Sequence, residues 1–288
     1  MSRGVVRIAV VQPRSAIRSL AGAISFRQAE PESVNVPRAG EWARRAAAEG
    51  ARLVAFPELF PGPSDPDHAA GAERAVEAMR ELARATQTCL GFGALRPAEG
   101  GGHHNCYHLA DGPSGRLWSQ DKAIPAIGER AVPGEGWAIA EVGGMRVGAA
   151  ICWEAWFPEV PRARALAGAE LLLFPTGAIV QELHDVWLRV VAARAAENVC
   201  FSACSVNLLG VERGMAAVFG PEADLGGRDD EGMVIADLDL DRLDVLRAAD
   251  DELTTLKRYA TLPGLLRALP GRVVREELVA FGSARGEA

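Results

Sequence analysis

The sequence predicts an α/β protein built as one domain, and three observations carry that expectation. Short apolar runs rich in Val, Ile and Leu alternate with Ala/Arg/Glu stretches of helical period almost to the C-terminus. With 288 residues, 49% apolar and 24% charged, the chain can bury one sizeable core. No repeat of fixed period and no low-complexity Ser/Pro/Gly linker divides it, so residues 1–288 read as a single domain.

The elements follow in order. Val5 to Gln12 is an apolar run too short for a signal segment or a membrane span, and reads as a buried first strand. Between Gln12 and Val36 the connection is long, which predicts a segment folded over the site or extending an interface. Arg38 to Ala48 and Ala69 to Ala85 carry apolar residues at intervals of three or four and predict helices. Leu53 to Pro57, Thr88 to Leu95 and Asn105 to Ala110 predict strands beside them. Pro61-Gly-Pro-Ser-Asp-Pro-Asp and Gly100-Gly-Gly are turn chemistry. The beat then repeats. Strands are predicted at Arg146 to Cys152, Leu171 to Pro175, Val199 to Asn207, Met215 to Phe219 and Met233 to Leu238. Helices are predicted at Val160 to Ala167, Leu183 to Asn198 and Asp241 to Ala249. The stretch from about 250 to 288 sets Leu265, Leu266 and Leu269 among Pro263, Gly264, Pro270 and Gly271, an apolar tail expected at an oligomer interface.

Composition excludes several functions. The chain has 31 basic and 38 acidic side chains, a formal charge of -7, so it lacks the positive field that holds a phosphate backbone, and no nucleic-acid partner is expected. No membrane association is expected either. Five cysteines make a disulfide framework improbable and fit a reducing, cytoplasmic setting. Cys89, Cys106, Cys200 and Cys204 fall inside apolar strand candidates and read as core. The phosphate-loop, dinucleotide, zincin and serine-hydrolase signatures are absent, so no cofactor is implied. His103, His104 and His108 alternate across a strand with no distant cluster to complete a shell, so no metal is expected. Only two of the basic residues are lysines, Lys122 and Lys257. A lysine kept in such a background suits a tight pocket that takes a compact ammonium and not a guanidinium fork.

Three strand ends carry the candidate chemistry: Glu58 in Phe56-Pro57-Glu58, Lys122 in Gln120-Asp121-Lys122, and Cys152 in Ile151-Cys152-Trp153-Glu154. In an α/β sheet functional groups collect where strands end, so a carboxylate, an ammonium and a thiol placed there can converge. A thiol of ordinary pKa about 8.5 needs a base or a cation to become a nucleophile, and a Glu/Lys pair supplies both.

These segments resemble the signature blocks of the nitrilase superfamily, the carbon-nitrogen hydrolases, whose Glu-Lys-Cys triad sits in F-P-E, K-x-H-L and I-C-Y-[DE]-x-x-F-P-E contexts. The resemblance extends to Gly50-Ala51, Gly128-Glu129, Pro133-Gly134, Arg194-Ala-Ala-Glu-Asn198 and Asp237-Leu-Asp-Leu, and spans Arg7 to about Arg258. The chain departs from the pattern at Ile124-Pro125, where the family has H-L, and at Gly214 to Ala223, which lacks a usual Ser and Gly.

The resemblance implies a four-layer α-β-β-α sandwich that often pairs into a homodimer. It implies Glu58 as base, Cys152 as nucleophile, Lys122 as oxyanion donor, and Glu129 as the additional glutamate that orients lysine and substrate. Trp153, Glu154, Phe157, Thr176 and Trp187 are the expected substrate-binding residues. Amide, carbamoyl and nitrile substrates all present an electrophilic carbon bound to nitrogen. An amidase giving a carboxylic acid and ammonia ranks first, because Phe157-Pro158-Glu159 resembles the amidase and carbamoylase branches. The alternatives are a nitrilase, an N-carbamoyl amine or amino acid amidohydrolase, and a non-catalytic binding member of the family.

Overall fold

The structure, a computed structural model, describes residues 2–20, 23–26, 31–63, 70–135, 139–210 and 213–249. The expectations for 64–67 of the Pro-rich turn and for the tail from 250 onward lie outside these residues.

Two six-stranded sheets pack face to face. The first runs β14 (Gly232–Asp239), β1 (Val5–Gln12), β4 (Leu53–Ala55), β5 (Cys89–Pro97), β6 (His103–Asp111) and β7 (Leu117–Asp121). The second runs β13 (Asp224–Arg228), β12 (Ala216–Phe219), β11 (Phe201–Val206), β10 (Leu171–Thr176), β9 (Met145–Ala149) and β8 (Ala140–Val142). A separate hairpin, β2 (Ile17–Leu20) and β3 (Ala23–Phe26), occupies the long first connection.

Alternation along β1 explains the layering. Val6, Ile8 and Val10 join the large cluster that includes Val147, Leu171 and Val218 of the second sheet. Ala9 and Val11 turn the other way, into a cluster with Ala39 and Ala43 of α1 (Glu32–Ala48) and Met79 and Ala83 of α2 (Ala70–Thr86). Period-two alternation on a strand with both faces covered gives this division. On the second sheet, α3 (Glu159–Leu166) packs on β9 and β10, and α4 (His184–Asn198) on β11 and β12. The molecule is therefore an α-β-β-α sandwich, with α5 (Leu240–Ala249) following β14.

The two sheets share one connectivity. In the first, β1, β4 and β5 are parallel, β6 and β7 continue antiparallel, and β14 lies antiparallel on the other flank of β1. In the second, β9, β10 and β11 are parallel, β12 and β13 continue antiparallel, and β8 flanks β9 antiparallel. Strand ends of equal rank thus meet at the same end of the sandwich, although the sequence has no repeat of fixed period.

Several boundaries differ from the sequence expectation. Helix α1 begins at Glu32 and runs through Pro37, where the sequence places its start at Arg38. Glu32 is buried and accepts a hydrogen bond from Arg74 Nη2 of α2 at 2.9 Å, so a tertiary tie holds the first turns despite the proline. Strand β9 stops at Ala149 and Cys152 opens a short 3-10 turn, Cys152–Trp156. Strands β7, β8 and β13 carry weak apolar patterns and were outside the expected set.

Candidate active site

Glu58 sits just beyond β4 in a segment pressed against β5. Phe56 N donates to Gly91 O at 2.8 Å and Gly93 N to Phe60 O at 2.8 Å. Tyr107 Oη donates to Phe56 O at 2.8 Å. A Cβ on Gly93 would lie 2.0 Å from Leu59 N, so only glycine allows this approach. Leu59 itself adopts φ 56, which turns the chain sharply after the carboxylate.

Lys122 follows β7 and is held at both backbone groups: its N donates to Asn105 O, and Gly134 N donates to its O, each at 2.8 Å. Its ammonium is 1% exposed. Nζ donates to Glu58 Oε1 at 2.7 Å and to Glu129 Oε2 at 2.8 Å. Glu129 is anchored in turn, because Ala126 N donates to Oε2 at 2.8 Å. Burial alone would pull Lys122 down, but the attraction of the neighbouring carboxylates outweighs it and holds the group above the ordinary lysine range. It stays an ammonium through the neutral range.

Cys152 adopts φ 50, the left-handed region that an L side chain occupies only under constraint. Arg194 supplies part of that constraint from α4, its Nε and Nη2 donating to Ala155 O at 3.2 and 3.1 Å. Glu58, Lys122 and the Gly177 N–H lie near enough to the Cys152 thiol to act on it electrostatically. Burial, and then the Glu58 charge, push it well above the ordinary thiol range, against the pull of Lys122 and the Gly177 N–H. A thiol so placed needs a base at the moment of attack, and Glu58 is the base at hand.

Other expected site residues divide between two surroundings. Glu154 is fully buried and turned toward backbone: Ile151 N donates to Oε2 at 2.6 Å, and Ala123 N and Ile124 N donate to Oε1 at 2.7 and 3.3 Å. One carboxylate thereby ties the Cys152 turn to the Lys122 loop, and Ile124 of the Ile124-Pro125 departure takes part. Burial raises Glu154 above the ordinary carboxylate range, opposed by Arg164 and by these N–H donors. Trp153 and Phe157 are half-buried, with ring centroids 6.2 Å apart, beside the nucleophile. Trp187 is buried on α4 in edge contact with Trp156 at 5.4 Å, and Thr176 is buried at the end of β10 with Oγ1 donating to Phe174 O at 3.3 Å.

Three polar groups escaped the sequence reading. Asn105 Nδ2 donates to Glu58 Oε1 and to Glu129 Oε1, both at 2.7 Å. Gly177 N donates to Glu58 Oε2 at 2.6 Å. Asn207 Nδ2 donates to Glu58 O at 2.9 Å and to Gly177 O at 3.2 Å. A polar residue on the apolar face shared by Tyr107 and Leu109 was the available signal for Asn105. Of the strand histidines, His104 Nδ1 is 3.0 Å from Val132 O, and burial lowers His108 to about 4 beside Ser119.

A thiol, a carboxylate and a buried ammonium gathered at the strand ends of an α-β-β-α sandwich agree with what comparison with known proteins finds. The family model described as carbon-nitrogen hydrolase matches residues 7–248, and the chain belongs to that family, a hydrolase acting on carbon–nitrogen bonds. Among its relatives is the N-carbamoylputrescine amidase of Solanum tuberosum, 28% identical over 260 residues that cover 77% of this chain and 86% of that protein. The omega-amidase of Homo sapiens is 24% identical, covering 75% and 87%. Among solved structures, an amidase from Nesterenkonia sp. superposes with a TM-score of 0.71 at 26% identity, covering 86% of this chain and 96% of that one. That amidase has been solved in complex with butyramide, and with the acetamide moiety of fluoroacetamide added covalently at its active-site cysteine.

Proposed function

We propose that the protein hydrolyses a small amide to a carboxylic acid and ammonia through a thioester on Cys152. The observation that carries this reading is that the Lys122 ammonium bridges Glu58 and Glu129 while the charges of Glu58 and Lys122 both act on the buried Cys152 thiol. Glu58 takes the thiol proton as sulfur attacks the carbonyl carbon. Lys122 and the backbone N–H of Trp153 hold the oxygen that becomes negative. The same proton passes to the leaving nitrogen, ammonia departs, and Glu58 then draws a proton from water as it attacks the thioester. The acid leaves and the thiol recovers its proton. Half-buried Trp153 and Phe157 supply an aromatic wall for an apolar acyl group, and the butyramide complex of the Nesterenkonia amidase supports a short aliphatic acyl chain.

A second reading, an N-carbamoyl amine as substrate, is supported by the likeness to N-carbamoylputrescine amidase. It uses the same triad, and the products are the free amine, carbon dioxide and ammonia in place of a carboxylic acid and ammonia. Five buried free cysteines, one of them the nucleophile, suit a reducing cytoplasm, and a homodimer remains the expected assembly.

Ammonia release and intact mass test the reading together. Incubation with butyramide is expected to release ammonia and, on rapid quenching, to show a butyryl adduct that Cys152→Ala abolishes. Ammonia release that persists in Cys152→Ala would overturn it. Carbamoyl substrates turned over faster than simple amides would favour the second reading.

A further inference from the structure

Asn105 lies on β6 between the two glutamates. Each hydrogen of its side-chain amide reaches one of them, Glu58 Oε1 and Glu129 Oε1, both at 2.7 Å, and the side chain is 1% exposed. Two acidic acceptors on one nitrogen fix the amide orientation, since the oxygen cannot donate. Among the described residues its Oδ1 has no partner. The result is a ring: Lys122 Nζ joins Glu58 Oε1 to Glu129 Oε2, and Asn105 Nδ2 joins Glu58 Oε1 to Glu129 Oε1.

Such a ring answers an electrostatic difficulty. Two carboxylates facing one ammonium in a buried site leave one negative charge in excess, and carboxylates held this close tend to share a proton instead of both ionising. Lys122 can neutralise only one of them. A second, neutral donor that reaches both lets each keep its charge and direction without adding a cation that would compete for the substrate oxygen.

We propose that Asn105 is a positioning residue for the hydrolytic reaction: it holds Glu58 and Glu129 apart as two separate carboxylates around Lys122, so that Glu58 is aimed at Cys152. This rests on the assignment of Glu58 as the base. The groups that face Asn105 are Glu58 from the segment after β4, Lys122 from the end of β7 and Glu129 from the loop beyond it, with Cys152 on the far side of Glu58. On β6 itself, His104 and Cys106 point to the opposite face, and Asp121 of β7, in register with Cys106, lies on that face too and pairs with Arg96.

The test compares Asn105→Leu, which removes the donor, with Asn105→Asp, which keeps the shape but sets a third carboxylate against the other two. If Asn105 only filled space, the isosteric Asp variant would be the better enzyme. The donor role predicts the reverse: kcat falls by on the order of 10²-fold in the Leu variant with KM little changed, and further in the Asp variant. It also predicts that the activity of the Asp variant relative to wild type rises at least roughly tenfold between about pH 8 and about pH 5.5, as the introduced carboxyl takes a proton and becomes a donor. Rapid-quench mass measurement completes the test, with acylation of Cys152 slowed in both variants. Should Asn105→Leu not fold, Asn105→Ser, which cannot span both glutamates, takes its place in the ordering. An Asp variant more active than Leu or Ser, or a ratio to wild type flat across pH, overturns the proposal. A wild-type enzyme that forms no adduct on Cys152 would overturn the underlying mechanism instead.

Discussion

Gly177 N–H and Glu58 Oε2 meet at 2.6 Å across the seam between the two sheets. Glu58 follows β4 and Gly177 follows β10, the strands of equal rank in two sheets with the same pattern of strand directions. The Glu58 carboxylate is therefore oriented by the sheet that also carries Cys152, and Asn207 ties both backbones together from the end of β11. Glu58→Gln keeps the size but loses the base, and its Nε2 would face either Lys122 Nζ or Gly177 N–H. The expected outcome is a loss of about 10²- to 10⁴-fold in kcat, read by ammonia release, with the adduct on Cys152 formed correspondingly slowly.

Lys122 links catalysis to stability. Lys122→Met leaves the buried Glu58 carboxylate without its cation beside half-buried Glu129, and breaking the buried Lys122–Glu58 pair in this way costs about 3–5 kcal/mol. Urea denaturation at neutral pH measures it. The pH dependence has a definite sign. Lys122 is held above the ordinary lysine value in the folded state, so its contribution is fully present below about pH 10.4, the unfolded value, and is lost as pH climbs through the raised folded value. The stability gap between wild type and Lys122→Met is thus expected to be flat up to about pH 10 and to shrink above it. A gap that shrank between neutral pH and about pH 9 would contradict this arrangement.

Glu154 holds two catalytic segments with one carboxylate. In Glu154→Gln one of the acceptor oxygens becomes an NH₂ that faces an N–H donor, either Ile151 or Ala123 and Ile124. A cost of about 1–3 kcal/mol is expected for the unsatisfied pair. Because the Cys152 turn and the Lys122 loop lose their common tie, kcat should fall while KM changes little. Thermal unfolding with steady-state kinetics on one amide checks both, and a change confined to KM would instead mark Glu154 as a substrate contact.

Gly93 controls the depth at which the Glu58 segment docks. A methyl at this position meets Leu59 N at 2.0 Å, and backbone cannot move aside as a side chain can. Gly93→Ala is expected to destabilise the protein by about 1–3 kcal/mol and to reduce kcat through displacement of Glu58. Gly100→Ala provides a contrast, since nothing lies within 4 Å of its added Cβ; its φ of 88 costs stability but leaves kcat unchanged.

Most of the layer structure was legible because β1, β5, β10 and β11 are covered on both faces and therefore read as largely apolar runs. Strands β8 and β13 lie at sheet edges, and their short, half-exposed patterns merge with loops. Helix α1 was shortened in the sequence reading because Pro37 is a local breaker, whereas the buried Glu32–Arg74 contact that sustains its first turns is separated by 42 residues. At the site, Glu58, Lys122 and Cys152 stood out as ionisable residues at strand ends in spaced blocks, and Glu129 was implied by the family resemblance alone. Asn105 sits mid-strand among histidines and a cysteine, and its partners arrive from 47 and 24 residues away. Gly177 contributes only a backbone N–H, which no side-chain pattern can announce. For Glu154 the sequence left two readings, a substrate contact or a bond to the backbone of the turn, because adjacency to Cys152 says nothing of direction after a turn that starts at positive φ.

The shared connectivity of the two sheets also bears on how the enzyme gains and loses its activity. The site's ties join residues 64, 119 and 149 positions apart, and several of them cross from one sheet to the other. Either sheet could form with its helices and remain inert. Regain of turnover during refolding is then a clock for the docking of two half-structures, later than the recovery of helical and strand signal, and the first trace of damage on gentle denaturation is loss of catalysis with secondary structure intact.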